Sequence, residues 1–386
     1  MTQHIEASDE RYWLDIRSQY EPSPDFINLE NGYFGMASRP VMDALEAYNL
    51  LVNREAAFFM RTKYPQRLAD VVQSLAAFFG VSADEVLVVR NPTEGMNILI
   101  QGYPFGPDDE VVVADQDYDS VKETLTMMEQ RGRFRLAPVQ LPFHPVDDEE
   151  ILAAYRKAIT PKTRVLIVTH LLHRTGQILP VAKIARMAQD LGIDVFVDAA
   201  HSFAHIDYRL PELQSSFVVV HLHKWLGAPL GVGMLYIRSN RVRDIAPLYG
   251  DTSHAAEDIR KLARFGTTPP GPILAIEDAI AFHNRIGGRN KEARLRYLKE
   301  CWVNEAKTLQ RIELMIPDAP ERSCGIAAFR VKDRDAQAVV DYLLAEHRIF
   351  TVAPMVGTTR VVRVTPHLYN TPEEMAKLVH ALRQLP

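Results

Sequence analysis

One lysine in the middle of the chain has neighbours that favour a chemical role. Lys224 follows the apolar run Phe217–Val220 and precedes the apolar run Met234–Ile237, and both runs are typical of buried strands. Burial disfavours the charged form of a lysine and lowers its pKa. Lys224 is therefore a candidate amine nucleophile that forms a Schiff base. A surface lysine on a loop between two strands is the commoner alternative for a lysine taken alone.

An aspartate that ends another apolar run supports the chemical role of the lysine. The predicted strand Val195–Val197 runs into Asp198, and two small residues and His201 follow. Ligands of open α/β sheets bind outside the carboxyl ends of the strands, so we expect Asp198 and Lys224 to face the same ligand. A lysine that forms an imine and a carboxylate that keeps a pyridine nitrogen protonated are suited to pyridoxal 5′-phosphate.

A predicted helix start after the strand 85–90 is suited to the phosphate group of such a cofactor. The segment Asn91–Gly95 opens this helix. Free N–H groups and the positive end of the helix dipole bind phosphate, and the hydroxyl of Thr93, next to Glu94, adds a donor. A plain helix N-cap at Thr93 is the alternative. Because the aspartate and the lysine also indicate pyridoxal phosphate, we expect this helix start to be a phosphate site.

Composition excludes several classes of function. The chain has 386 residues, a formal net charge of −5, 47% apolar and 24% charged residues, which is typical of a soluble globular protein. Neither nucleic acid nor a membrane surface is an expected partner, and no stretch reaches the ~18 apolar residues of a membrane span. The N-terminus has no apolar signal region. The two cysteines, Cys301 and Cys324, make no disulfide framework and favour a reducing, cytoplasmic location; we expect no metal site.

The order of the predicted elements favours an α/β fold with two domains. Strands and helices alternate between residues 85 and 200, which is the pattern of a mainly parallel, doubly wound sheet. A length of 386 residues suits two domains better than one core. We expect an N-terminal arm at 1–25, a large cofactor-binding domain at 26–270 and a smaller α+β C-terminal domain at 271–386.

Four short segments occur in the order and rough spacing of a known enzyme family. They are residues 91–95, 197–201, 223–227 and 266–267. From about residue 25 to the C-terminus, the chain resembles the class V aminotransferase family of fold-type I pyridoxal-phosphate enzymes. The His-Lys-Trp-Leu box at 223–226 and the tail at 363–371 most resemble the isopenicillin N epimerase-like branch of that family.

Three residues are expected beside the cofactor ring. Many family members have a histidine at the ring-stacking place, and Tyr118 is the only aromatic residue in the corresponding loop. Its ring can stack on the pyridine face, with a surface tyrosine at a helix start as the alternative. The resemblance places His173 near the ring oxygen, where the family often has asparagine. His201, three positions after Asp198, is placed to bond the pyridoxal oxygen or to stack beside the ring.

The resemblance also implies contacts to the cofactor phosphate. His221 and His223 lie close before the lysine, and His223, directly before it, is the better candidate for the phosphate. A protonated imidazole at either position would also lower the pKa of Lys224. Thr267 lies in a segment that, in dimers of the family, is donated to the phosphate of the other subunit. This implies a homodimer with shared active sites.

Two residues are expected to bind the small-molecule substrate, an amino acid. Asn31 belongs to an Asn-Gly turn that lies over the active site in the family, with an ordinary turn as the alternative. The resemblance assigns Arg363 to the substrate α-carboxylate, which a guanidinium can bind bidentately. Strand alternation puts Val362 and Val364 on the opposite face from Arg363, and a solvent-facing edge arginine is the alternative. Arg174 is a further candidate for contact with substrate or phosphate.

The resemblance predicts chemistry at the α-carbon of an amino acid, with Lys224 as the general base. Return of the proton on the opposite face gives epimerisation, its return to the cofactor carbon gives transamination, and loss of a β-substituent gives elimination. Cysteine desulfurases of the family carry a nucleophilic cysteine on a loop before the C-terminal arginine, and residues 349–359 contain none. We expect an epimerase-like enzyme or an aminotransferase. A β-eliminating C–S lyase and a non-catalytic cofactor-binding protein are the alternatives.

Overall fold

A computed structural model describes residues 4–386, so the first three residues of the predicted 1–25 arm lie outside the described range. Within that range the chain forms twelve α-helices and fourteen strands. The helices are α1 (Glu10–Arg17), α2 (Arg39–Thr62), α3 (Tyr64–Phe79), α4 (Pro92–Gly102), α5 (Asp119–Gln130), α6 (Asp148–Ala158), α7 (Val181–Asp190), α8 (Pro270–Leu274), α9 (Ile276–Ile286), α10 (Gly288–Ala306), α11 (Ala336–His347) and α12 (Pro372–Arg383). The strands are β1 (Ile27–Asn28), β2 (Val86–Val89), β3 (Glu110–Ala114), β4 (Arg135–Val139), β5 (Thr163–Thr169), β6 (Asp194–Asp198), β7 (Phe217–His221), β8 (Gly233–Ile237), β9 (Ile312–Leu314), β10 (Ala327–Val331), β11 (Ile349–Phe350), β12 (Met355–Val356), β13 (Thr359–Arg360) and β14 (Val362–Val364).

The central sheet has seven strands in the order β2-β8-β7-β6-β5-β3-β4. Strand β8 is antiparallel to both of its neighbours, and the other six strands run in one direction. Asp198 at the end of β6 is the register partner of Thr169 on β5 and of Val219 on β7. The carboxyl ends of these strands therefore lie at one edge of the sheet. The predicted α/β fold with a mainly parallel sheet is confirmed.

Helices cover both faces of this sheet, as the doubly wound prediction requires. Successive side chains of a strand point to opposite faces, and β3 has apolar residues on both. Val111 and Val113 belong to one core together with residues of α4 and α5, for example Leu125. Val112 belongs to the core on the other face, where Ile184 of α7 and the buried residues of α3 and α6 lie. Because both faces are buried, the strands are continuous apolar runs.

The C-terminal domain is built on a three-stranded antiparallel sheet in the order β14-β10-β9. Its core contains Trp302 of α10 and Phe329 of β10, together with residues of α11 and α12. Val362 and Val364 of β14 are buried in the same core. Alternation along the strand directs Arg363 away from that core, as predicted. The exact domain boundaries stay a prediction.

The segment after the N-terminal arm connects the C-terminal domain to the lysine loop. Strand β1 pairs in parallel with β11, and Leu29 is buried in the C-terminal core. Glu30 forms a further bridge with Thr365. A few residues later, the N–H of Gly35 donates to the carbonyl of His223 at 3.0 Å. The segment therefore brings groups of the C-terminal domain to the carboxyl edge of the central sheet.

Helix α1 holds the N-terminal arm against helices of the C-terminal domain. Trp13 is buried on its inner face. Arg17 pairs with Glu374 of α12 at 3.0 Å, and Glu10 pairs with the buried Arg294 of α10. No helix within residues 4–386 is long and apolar enough to cross a membrane.

Candidate active site

Loops at the carboxyl edge of the central sheet enclose a cavity around Lys224. The loops follow strands β2, β3, β5, β6 and β7. Most of the predicted site residues line this cavity together, namely Thr93, Tyr118, His173, Asp198, His201, His221 and Lys224. Within residues 4–386, no group of three or more histidine, cysteine or acidic side chains is arranged to hold a metal ion.

The loop between β7 and β8 holds Lys224 inside the protein. The residue is only 7% exposed. The N–H of Ala228 donates to the carbonyl of Leu222 at 3.1 Å and closes the loop. Gly35 packs so closely on this loop that a Cβ atom there would lie 2.1 Å from the Lys224 carbonyl oxygen. Burial, and to a smaller extent the guanidinium of Arg363, lowers the pKa of Lys224 to about 7. A large share of the lysine is therefore an uncharged amine near neutral pH, as a nucleophile requires.

A chain of three side chains orients the lysine amine. Lys224 Nζ lies 2.8 Å from His201 Nε2, and Trp225 Nε1 donates to His201 Nδ1 at 3.4 Å. Burial lowers the pKa of His201 well below its usual range, so the ring is neutral. Because an indole N–H can only donate, Nδ1 is the acceptor and the single proton of the ring is on Nε2. That proton then faces the lone pair of Lys224 and stabilises the uncharged amine.

The pKa of Lys224 predicts how the apoprotein combines with an aldehyde cofactor. Only the uncharged amine attacks a carbonyl, and its concentration rises about tenfold per pH unit below the pKa. We expect the rate of covalent capture of pyridoxal phosphate, followed by absorbance, to increase up to about pH 7 and to be flat above it. A rise that continues to about pH 10, the range of an ordinary lysine, would contradict the buried position of the amine.

Asp198 forms the wall of the cavity next to the lysine. It is 4% exposed, and its Oδ1 accepts the N–H of Ala200 at 2.9 Å. Burial raises the pKa of Asp198, while the Ala200 N–H and the charge of Lys224 act in the opposite direction. A buried carboxylate is costly without a cationic partner. A protonated pyridine nitrogen is such a partner, so the site fits the predicted ring.

A second buried carboxylate supports this wall and was not predicted as a functional residue. Asp117 Oδ1 accepts the hydroxyl of Thr169 at 2.6 Å, and its Oδ2 accepts the N–H of Ala114 at 2.7 Å. Burial raises the pKa of Asp117 to about 7. These bonds tie the loop after β3 to the end of β5 and position Tyr118. The sequence offered one signal for this residue, an acidic side chain just after a predicted strand. Its role could not be predicted because its partners, Ala114 and Thr169, belong to two different strands.

Three rings form one side of the cavity. The rings of His173 and His201 are nearly parallel, with centroids 6.2 Å apart, and Tyr118 meets His173 edge-on at 5.2 Å. Tyr118 is the N-cap residue of α5 and is 40% exposed, so it lies at the mouth of the cavity. Tyr118 is therefore a residue at a helix start, as in the alternative interpretation, and it also lines the cavity. Its stacking on the cofactor stays a prediction.

The start of α4 differs in detail from the predicted phosphate site. Asn91, not Thr93, is the N-cap, and its Oδ1 accepts the N–H of Glu94 at 2.9 Å. The Glu94 carboxylate bonds the backbone and guanidinium of Arg90 and does not line the cavity. Thr93 Oγ1 lies 3.0 Å from Ser120 Oγ. The capping alternative for Thr93 is therefore wrong, and its hydroxyl remains at the positive end of the helix, where phosphate binds.

The two histidines that precede the lysine, His221 and His223, are neutral. Their rings are 4.2 Å apart, and His223 Nδ1 lies 2.9 Å from the carbonyl of Val232. Burial lowers the pKa of His223 to about 4 and that of His221 well below its usual range. An imidazolium therefore does not contribute to the low pKa of Lys224. His221 Nδ1 is buried without a hydrogen-bond partner in the described chain, which leaves it available to a ligand.

Arg363 reaches the site from the C-terminal domain. Its Nη1 donates to the carbonyl of His173 at 2.7 Å, which places the guanidinium beside the cavity. Its Nη2 and Nε donate to Glu30, a residue that was not predicted. Asn31 is buried, and its Nδ2 donates to the carbonyl of Thr365 at 2.8 Å. The geometry suits Arg363 for a substrate carboxylate, whereas Asn31 is already bonded within the protein.

Two further candidates are not among the residues that line the cavity. Thr267 is exposed on the loop that precedes α8. Arg174 is buried, and its guanidinium pairs with Asp119. Within one chain, Thr267 is therefore separate from the lysine site, and Arg174 has a partner other than substrate or phosphate.

Comparison with known proteins agrees with the geometry of the site. Residues 36–378 match the family described as Aminotransferase class-V. The chain belongs to the class V aminotransferase family. The family and the fold class predicted from the sequence are thereby confirmed.

Individual relatives of this class V protein have different reactions. Isopenicillin N epimerase of Streptomyces clavuligerus is 27% identical over 97% of this chain and 98% of its own. A probable cysteine desulfurase of Methanothermobacter thermautotrophicus is 24% identical over 96% of this chain and 97% of its own. A solved lysine-to-alanine mutant of C-DES, with glycine covalently linked to the PLP cofactor, has a TM-score of 0.86 and 22% identity. That match covers 96% of this chain and 99% of the other.

Family membership and the chemistry of the cavity agree on the cofactor. As a class V family member, the protein is a pyridoxal 5′-phosphate enzyme. The residues fit this group: Lys224 offers an uncharged amine, Asp198 a buried carboxylate, and the start of α4 a phosphate site. The unpartnered Nδ1 of His221 is a further polar atom that a bound group can contact.

Proposed function

We propose that this class V enzyme epimerises an amino acid at its α-carbon. The observation that carries the proposal is the buried Lys224 with its low pKa, beside the carboxylate of Asp198 and the guanidinium of Arg363. Bound pyridoxal phosphate supplies the electron sink that makes the α-proton removable. Lys224 Nζ takes that proton as the general base, a contribution of roughly 10²–10⁴-fold, and return of a proton to the opposite face of the α-carbon completes the epimerisation. Arg363 holds the α-carboxylate and fixes which hydrogen faces the lysine.

Persulfide chemistry is not supported by the cysteines of the chain. Cys324 is buried, with its Sγ directed at the carbonyl of His205, and Cys301 lies in α10. Neither is on the loop before Arg363, where the family resemblance places the nucleophilic cysteine of desulfurases. The near full-length similarity to an isopenicillin N epimerase supports epimerisation. The substrate need not be isopenicillin N, since an identity of 27% leaves the side-chain pocket open to change.

The reaction is tested by solvent exchange at the α-carbon. Holoenzyme in deuterated water is given L- and D-amino acids in pools, and the α-proton signals are followed by NMR. Loss of an α-proton signal together with the inverted amino acid is the expected result. A 2-oxo acid would identify transamination instead, and pyruvate with ammonia would identify elimination. Absence of exchange for every amino acid would contradict chemistry at the α-carbon.

We further propose that the enzyme is a cytoplasmic homodimer with shared active sites. Thr267 is exposed, and its neighbours Gly266 and Thr268 line an apolar groove of about 810 Å³. The groove also includes Tyr64 and Val88. An exposed apolar surface of this kind is typical of a protein interface. A second subunit packed on it would supply Thr267 to the cofactor phosphate of the first.

Mixed dimers test the proposed exchange of Thr267 between subunits. Thr267→Asp places a carboxylate where a phosphate is expected, so we expect this homodimer to lose its cofactor by charge repulsion. Lys224→Ala removes the base from the other half of the site. When the two variants are mixed and reassembled, one site per mixed dimer has both wild-type residues, and α-proton exchange should reappear. If the mixture has no more activity than the separate variants, Thr267 does not act across subunits.

A further inference from the structure

Glu30 and Arg363 form a buried ion pair inside the active site. Their side chains are 5% and 10% exposed. The carboxylate of Glu30 occupies the side edge of the guanidinium, where Nε donates to Oε2 at 3.3 Å and Nη2 donates to Oε1. Oε1 also accepts the N–H of Tyr33 at 3.0 Å. Glu30 is therefore held in place by the arginine and by its own loop.

The end of the Arg363 guanidinium keeps two donors for a substrate. Nη1 donates one N–H to the carbonyl of His173, and Nη2 donates one to Glu30. Each of these nitrogens carries a second N–H. Gly32 covers the guanidinium so closely that a Cβ atom there would lie 2.8 Å from Cζ. Because one N–H remains on each of the two nitrogens, a carboxylate can bind the Nη1–Nη2 edge bidentately while Glu30 keeps its place.

The charge of Glu30 changes which carboxylates this edge can bind. Glu30 already neutralises Arg363, and its charge also acts on Lys224. A simple anion would add a second negative charge to a buried site, next to a carboxylate, and like charges in such contact are destabilising. An amino acid in its zwitterionic form brings its own positive charge and adds no net charge.

We propose that Glu30 is a specificity-determining residue that makes the Arg363 site select zwitterionic amino acids over simple anions such as 2-oxo acids. The inference rests on the proposed function, because it assumes that Arg363 binds the α-carboxylate of an amino acid. It also bears on the reaction. An epimerase binds zwitterions as substrate and product, whereas an aminotransferase must bind a 2-oxo acid in the same place. Glu30 therefore favours epimerisation over transamination.

The variant Glu30→Gln tests this role. The amide removes the negative charge, and its oxygen can still accept the N–H of Tyr33. Propionate is the probe because it has a carboxylate and no amine, so it binds without reacting with the cofactor. We expect calorimetry on the holoenzyme to give about tenfold tighter propionate binding in the variant, since one adjacent like charge has been removed.

A matched control removes the carboxylate partner of another buried arginine. Glu10→Gln breaks the pair with Arg294, outside the site, and should leave propionate binding unchanged. Adding Arg363→Ala to Glu30→Gln should abolish the gain. Equal, weaker or undetectable propionate binding in Glu30→Gln would overturn the proposal, as would a gain that persists without Arg363. Solvent exchange by the wild-type enzyme tests the proposed function separately, because it involves no change at Glu30.

Discussion

Replacement of Lys224 by alanine is expected to reduce α-proton exchange by about 10²–10⁴-fold, the usual contribution of a general base. The lysine is 7% exposed and hydrogen-bonded to His201, and within the cavity it is the side chain whose pKa of about 7 suits the removal of a proton. The variant should also lose the covalent link to the cofactor. Borohydride reduction followed by peptide mass spectrometry should find the reduced adduct on Lys224 of the wild-type enzyme and no adduct at that position in the variant.

Another buried lysine provides the control for this experiment. Lys299 of α10 is 3% exposed and its pKa is also lowered by burial, but its Nζ donates to Ser323 at 2.9 Å, away from the cavity. Lys299→Ala should lower the melting temperature and leave exchange per folded protein within a few-fold of wild type. Wild-type exchange in Lys224→Ala would show that another group removes the proton.

The positions of the two principal catalytic candidates could be predicted because each follows a strand. The apolar runs before Asp198 and before the Lys224 loop are both buried strands, β6 and β7, and they are neighbours in the sheet. Parallel neighbours end at the same edge, so their loops meet. Strand alternation likewise located Arg363, since the flanking valines had to enter the C-terminal core.

Other parts of the site depend on contacts that local sequence patterns do not encode. Glu30 contacts Arg363 only because β1 pairs with β11, which brings the residues after β1 next to β14, the strand that contains Arg363. The alternative that Thr93 caps α4 is wrong, and residue type alone carried a signal here, because asparagine is a better N-cap than threonine and Asn91 is the cap. Thr267 is exposed in the single chain, so its proposed contact with the cofactor phosphate requires a second subunit.

Replacement of Asp198 by asparagine is expected to reduce α-proton exchange by about 10²–10³-fold, the usual cost of removing one group that stabilises developing charge. The asparagine Oδ1 can still accept the N–H of Ala200, so the loop after β6 keeps its bond. What is lost is the negative charge that we propose holds a proton on the pyridine nitrogen and so maintains the electron sink. Asp198→Glu keeps the charge, although displaced, and should retain more activity than Asp198→Asn.

The other end of the same strand supplies the control for Asp198. Asp194 begins β6 at the opposite edge of the sheet, where its oxygens accept Arg241 and the hydroxyl of Tyr103 at 2.7 Å. Asp194→Asn removes one carboxylate from β6 far from the cavity, and we expect it to affect thermal stability but not exchange per folded protein. If the Asp194 and Asp198 variants lose exchange equally, the loss comes from damage to the strand. If only Asp198→Asn loses it, and glutamate restores part of it, the charge itself is required.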